Sequence, residues 1–124
     1  MVDFDEVGIM LDEIAAELPQ EFYKELNGGI ILLPEAKKNR VRGSNNLYIM
    51  GEYHRGGGLG RYITIYYGSF EQLYGHLTRE SLKEQLAHTL KHEFTHHMES
   101  LAGERGFEKK DEQFLNDYFS RKGR

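Results

Sequence analysis

The chain has 124 residues, a formal net charge of −4 and no cysteine. That length holds one domain around one core, and the lack of cysteine excludes disulfides, thiolate metal sites and cysteine nucleophiles together. So small a charge asks for no nucleic-acid partner, and without a signal-like leader or a membrane-length apolar run a soluble, cytoplasmic protein is expected.

In chain order, Asp3 or Asp5 can cap a first helix. Phe4, Val7, Met10, Leu11, Ile14 and Leu18 recur at three- and four-residue steps, an amphipathic pattern. Pro19 interrupts it and can open a short turn from Gln20 to Leu26. Asn27-Gly28-Gly29 then stops the helical run. Ile30-Ile31-Leu32-Leu33, ending at Pro34, reads as a buried strand. Residues 35–46 are polar and carry Lys37, Lys38, Arg40 and Arg42. With no stacking aromatics interleaved, they read as a solvated loop rather than a nucleic-acid patch.

Leu47 to Tyr53 and Arg61 to Tyr67 are rich in β-formers. The Gly56-Gly57-Gly58-Leu59-Gly60 segment between them is followed by a strand, not by a helix with Lys-Ser/Thr, so a phosphate cradle is rejected in favour of a hairpin loop with positive φ angles. The second strand, Tyr62 to Tyr67, is expected at a sheet edge, where an extended peptide substrate could add as a further strand. Ser69 can cap a short helix, Phe70 to Gly75. Thr78 can cap a long one running to about Ala102, with Gly103 as its stop. Asp111 begins a last helix, with Phe114, Leu115, Tyr118 and Phe119 on its apolar side.

The long helix carries Lys91-His92-Glu93-Phe94-Thr95-His96-His97, which contains H-E-x-x-H. At about 100° per residue, Leu82, Leu86, Leu90, Phe94, Met98 and Leu101 form one apolar stripe, and His92 and His96 fall on the opposite side. Two imidazoles four residues apart can grip one Zn2+ ion. The metal lowers the pKa of a water, and Glu93 takes its proton as general base. His97 lies on the apolar side and reads as a core histidine. His88 reads as a solvated side chain.

A catalytic zinc needs a third protein ligand. Glu99, Glu104 and Asp111 are the candidates. Glu99 shares the histidine face but lies two turns from His92, so it suits a rim or supporting position. Asp111 follows a connection long enough to fold back over the helix, although an Asp there is also an ordinary N-cap.

The motif residues His92-Glu93-Phe94-Thr95-His96-His97, together with Leu59-Gly60-Arg61-Tyr62 and Tyr66-Tyr67-Gly68-Ser69-Phe70, resemble the small zincin-like metallopeptidases called mini-zincins. The resemblance covers most of the chain. It implies an α+β minimal zincin-like scaffold, a small mixed sheet packed on the motif helix with flanking helices. It also implies a zinc peptidase with His92 and His96 as ligands and Glu93 as base. The family pattern H-E-x-x-H-x-x-G-x-x-D is not kept here: Glu99 stands in the Gly place and Ala102 in the Asp place. Treating Ser100 to Lys110 as an insertion puts Asp111 in the position of the third ligand.

The leading expectation is therefore a metallopeptidase acting on short or flexible peptides, with Tyr118, His54 or Arg105 as candidate donors to the tetrahedral oxyanion. The alternative is a non-catalytic metal-containing or peptide-binding module on the same scaffold.

Overall fold

The computed structural model describes residues 1–39 and 47–105, the last two by backbone only. Helix α1 spans Phe4–Glu17, and Asp3 caps it by accepting the Glu6 N–H at 2.8 Å. It buries Val7, Met10, Leu11 and Ile14, at about 1.5–3 kcal/mol for each large aliphatic side chain removed from water. A 3-10 turn, Gln20–Tyr23, follows. Its Tyr23 hydroxyl donates to the Ala15 carbonyl at 2.7 Å and ties the turn to the helix.

Among the described residues five strands come next: β1 (Gly29–Leu33), β2 (Lys37–Lys38), β3 (Tyr48–Ile49), β4 (Gly51–His54) and β5 (Tyr62–Tyr66). The main sheet has the order β1-β5-β4, with β1 parallel and β4 antiparallel to β5. Strands β2 and β3 form a separate antiparallel pair. Helices α2 (Tyr67–Tyr74) and α3 (Arg79–Arg105) complete the described chain.

This is the α+β arrangement expected from the sequence, a small mixed sheet on a long helix. Leu82, Leu86, Leu90, Phe94, Met98 and Leu101 of α3 are all buried, together with Ile63 and Ile65 of β5 and the α1 stripe. Phe94 meets the rings of Phe22 and Tyr23 at centroid distances of 5.7 and 5.1 Å. Thr78 accepts the Ser81 N–H at 3.1 Å, as its capping position requires.

Several local expectations are corrected. Tyr62–Tyr67 is not a sheet edge: β5 is the central strand, and Tyr67 opens α2. Side-chain periodicity sets a strand's faces but not its neighbours, and the parallel partner β1 comes from a distant part of the chain. The edge beside α3 is β4. Ser69 does not cap α2. It sits buried inside the helix, where its hydroxyl accepts the Lys37 N–H at 3.0 Å. Just before it, a Cβ on Gly68 would stand 2.5 Å from the Ala36 backbone nitrogen, so this crossing requires glycine. Gly103 does not stop α3, which runs on to Arg105. The stretch 35–46 is not loop throughout, because Lys37 and Lys38 pair with Ile49 and Tyr48. The helix expected from Asp111 lies outside the described residues.

Candidate metal centre

Helix α3 and the edge strand β4 form the two walls of an open cleft of about 910 Å3. The pleat of β4 decides which of its side chains face the helix. A Cβ on Gly51 would stand 3.0 Å from the Thr89 methyl of α3. Tyr53 Oη lies 2.8 Å from His97 Nδ1, and Arg55 Nη1 donates to Ser100 Oγ at 3.0 Å. Residues 51, 53 and 55 thus share the helix-facing side, and alternation turns Glu52 and His54 to the other.

On that outer side, Lys37 Nζ and Tyr66 Oη both donate to Glu52 Oε1, at 2.7 and 2.6 Å. Burial alone would raise the Glu52 carboxyl, but these two bonds outweigh it and hold it below the usual carboxylate range. His54 Nε2 stands 2.9 Å from Thr64 Oγ1, and its ring stacks on Tyr62 with centroids 4.5 Å apart. Both residues also line the cleft.

The helix wall carries the motif. His92 Nε2 and His96 Nε2 lie 3.2 Å apart, with their rings nearly perpendicular at 85°. Two nitrogens bound to one tetrahedral zinc at 2.0–2.1 Å would stand about 3.4 Å apart. The spacing of the pair therefore matches that of two nitrogens on one zinc ion. Burial lowers the pKa of His92, and the neighbouring His96 and His88 imidazoles lower it further. A neutral imidazole is the form that binds metal. Glu99 accepts at 3.3 Å from Nδ1 of His96, which leaves Nε2 of that ring to face His92 Nε2.

Glu93, on the helix wall, is only 5% exposed. Among the described residues its carboxylate has no hydrogen-bond donor, yet it lines the cleft. Burial raises its pKa; His96 opposes the shift and Glu52 adds to it. A carboxyl held above its ordinary value suits proton transfer near neutral pH.

The structure brings together His92, Glu93 and His96, three of the four expected site residues. Asp111 lies outside the described residues, as do the side chains of Glu104 and Arg105 and all of Tyr118. Among the described residues no group of three His, Cys, Asp or Glu side chains is gathered to hold an ion. Glu99 meets the centre through His96 rather than joining the nitrogen pair. His54 lines the same cleft from β4, with its Nε2 at Thr64 Oγ1. His97 is fully buried, as expected of a core histidine. The sequence does not single out Tyr53 and Arg55; the two-residue step Gly51, Tyr53, Arg55 finds both once the helix-facing phase is known.

Residues 45–112 match the family described as zincin-like metallopeptidase. Among solved structures, the chain is similar to a conserved hypothetical protein from T. thermophilus, with 31% sequence identity and a TM-score of 0.72. That likeness covers 82% of this chain and 99% of the other. No curated protein matches the sequence.

Proposed function

The chain belongs to the zincin-like metallopeptidase family, and on that premise we propose that it is a zinc-dependent peptidase. The observation that carries this reading is the meeting of two imidazole nitrogens 3.2 Å apart beside a buried carboxylate that has no hydrogen-bond donor among the described residues. His92 and His96 would hold the ion, and Asp111 is proposed as the third ligand. Zinc bound there supplies Lewis-acid polarisation of the scissile carbonyl and acidifies water.

The chain's own residues do the rest. Glu93 takes a proton from the attacking water and hands it to the leaving amide nitrogen, and its raised proton affinity serves both transfers. Glu99 orients the His96 ring. His97, fixed between Tyr53 and Lys24, holds β4 against the motif helix. The cleft is open rather than tunnel-like, and one wall is a strand edge unpaired among the described residues, features that suit an extended peptide segment. No described helix is long and apolar enough to cross a membrane; the proposed setting is the cytoplasm.

Zinc content and turnover test the reading together. Protein purified without added metal should carry about one zinc per chain. Glu93→Gln should keep that zinc and lose peptide hydrolysis by a factor of about 100 or more. A wild type that takes up no zinc when it is supplied would overturn the proposal. Zinc bound equally by both proteins, with no hydrolysis by the wild type, would favour the non-catalytic module.

A further inference from the structure

The cleft is lined by the carboxylates of Glu52, Glu93 and Glu99, yet it has a single fixed positive charge among the described residues, Arg55. Arg55 stands at the end of β4, on the helix-facing side of the strand. Its guanidinium is held by a neutral group, donating from Nη1 to Ser100 Oγ at 3.0 Å. Glu99, the residue next to Ser100, is 69% exposed and bonds His96 instead. Among the described residues no carboxylate pairs with Arg55. A guanidinium has five N–H donors in a planar fork, so most of the fork remains open beside the proposed reaction centre.

Its distance from that centre follows from the helix. His92, His96 and Ser100 succeed one another at four-residue steps, each about 6 Å along the axis. The fork is tied to Ser100, one such step beyond His96. An extended peptide advances about 3.3 Å per residue. A carboxylate seated on the fork would therefore lie one or two residues from the bond being cut.

We propose that Arg55 is the substrate's carboxylate anchor, held at the cleft end by Ser100 and selecting peptides that carry a carboxylate one or two residues from the scissile bond. The inference rests on the peptidase reading given above. A peptide's free C-terminus and an Asp or Glu side chain present the same planar, two-oxygen group, which Arg binds through two parallel hydrogen bonds. Lysine offers a single-point charge and no fork.

The test is equilibrium binding of fluorescent peptides to the zinc-loaded full chain. A Glu93→Gln background keeps the peptides intact, so the readout does not depend on turnover. Four matched peptides are compared: free C-terminus, C-terminal amide, and amides with an internal Glu or Gln. The carboxylate peptides should bind about tenfold tighter than their neutral partners, a difference of about 1.4 kcal/mol. Arg55→Ala should bring that ratio close to one, and Arg55→Lys should leave it in between. Which pair shows the difference identifies the carboxylate's source, and either pair supports the anchor. Equal binding of all four peptides by the Arg55 protein, or a ratio that survives Arg55→Ala with native circular dichroism, overturns it while leaving the peptidase reading intact. Failure of every peptide to bind overturns both.

Discussion

Tyr53 and His97 are locked in one proton arrangement. His97 Nε2 lies 2.7 Å from the Lys24 carbonyl, which can only accept, so that nitrogen carries the hydrogen. Nδ1 of the neutral ring is then an acceptor, and the Tyr53 hydroxyl donates to it at 2.8 Å. Burial lowers the pKa of His97 and favours this neutral form, outweighing the Lys24 bond, which alone would raise it. A residue on the strand wall of the cleft is thereby bolted to the residue that follows the second histidine of the proposed metal site. Tyr53→Phe leaves a buried ring nitrogen without its donor and should cost about 1–3 kcal/mol of stability. The urea midpoint should fall with little change in slope. An unchanged midpoint would show that the bond contributes nothing.

Zinc affinity should fall in a graded order. His92→Ala and His96→Ala each remove a proposed ligand and should weaken binding by more than about 100-fold. Glu99→Gln touches only the outer nitrogen of His96. Its long contact and high exposure put the expected loss at about tenfold. Asp111→Ala should behave like the histidine variants. Competition with a chromophoric chelator would measure all four, and an Asp111→Ala protein with native affinity would remove that residue from the centre.

Glu52 should give stability a dependence on acid. Its folded pKa lies below the ordinary carboxylate value because Lys37 and Tyr66 donate to the ionised form. The unfolded chain therefore binds the proton first as pH falls. The stabilisation is present in full above the unfolded carboxylate range, near pH 4.3, and is lost as pH falls through the lower folded value. Glu52→Gln should be less stable than wild type at pH 7, and the gap should close in acid. Urea midpoints at pH 7 and in the acid range would measure it, and a constant gap would contradict the account.

Gly51 sets the distance between the cleft walls. An added Cβ would stand 3.0 Å from the Thr89 methyl, 3.1 Å from Ile65 Cδ1 and 3.1 Å from the Thr64 carbonyl oxygen. The Thr64 carbonyl belongs to the paired strand β5 and has little room to yield. Gly51→Ala should cost about 1–3 kcal/mol and push β4 away from α3. Thermal melting would read the first effect. A weakened Arg55–Ser100 bond, seen in the exchange rate of the guanidinium protons, would read the second.

The residues legible in the sequence are those whose signal is local. The apolar stripe from Leu82 to Leu101, the Thr78 cap and the His92–His96 spacing each lie within a few turns of helix, and the structure keeps all three. Strand neighbours are not local. Nothing between Ile30 and Tyr66 states that β1 will insert against β5, so the sequence puts β5 at an edge it does not occupy. Ser69 reads as a helix cap because caps favour serine, but its hydroxyl answers a backbone N–H far away at Lys37. His54 and Arg55 show the same limit at the cleft. Which of two adjacent residues faces the helix depends on the phase of one strand against another element, and the close approach of Gly51 to Thr89 fixes that phase.

The parallel rungs from Gly29↔Tyr62 to Leu33↔Tyr66 also bear on the order in which this chain assembles. The β4–β5 hairpin closes over a short glycine loop, whereas β1 must return across everything between it and β5. Loop closure makes such distant pairing slow compared with local pairing. Strands β4 and β5 can thus pair early, while the far side of the sheet is still open. Ile30 and Leu32, which pack against the core from β1, then become late contacts. Shortening them should speed unfolding and leave the refolding rate nearly untouched.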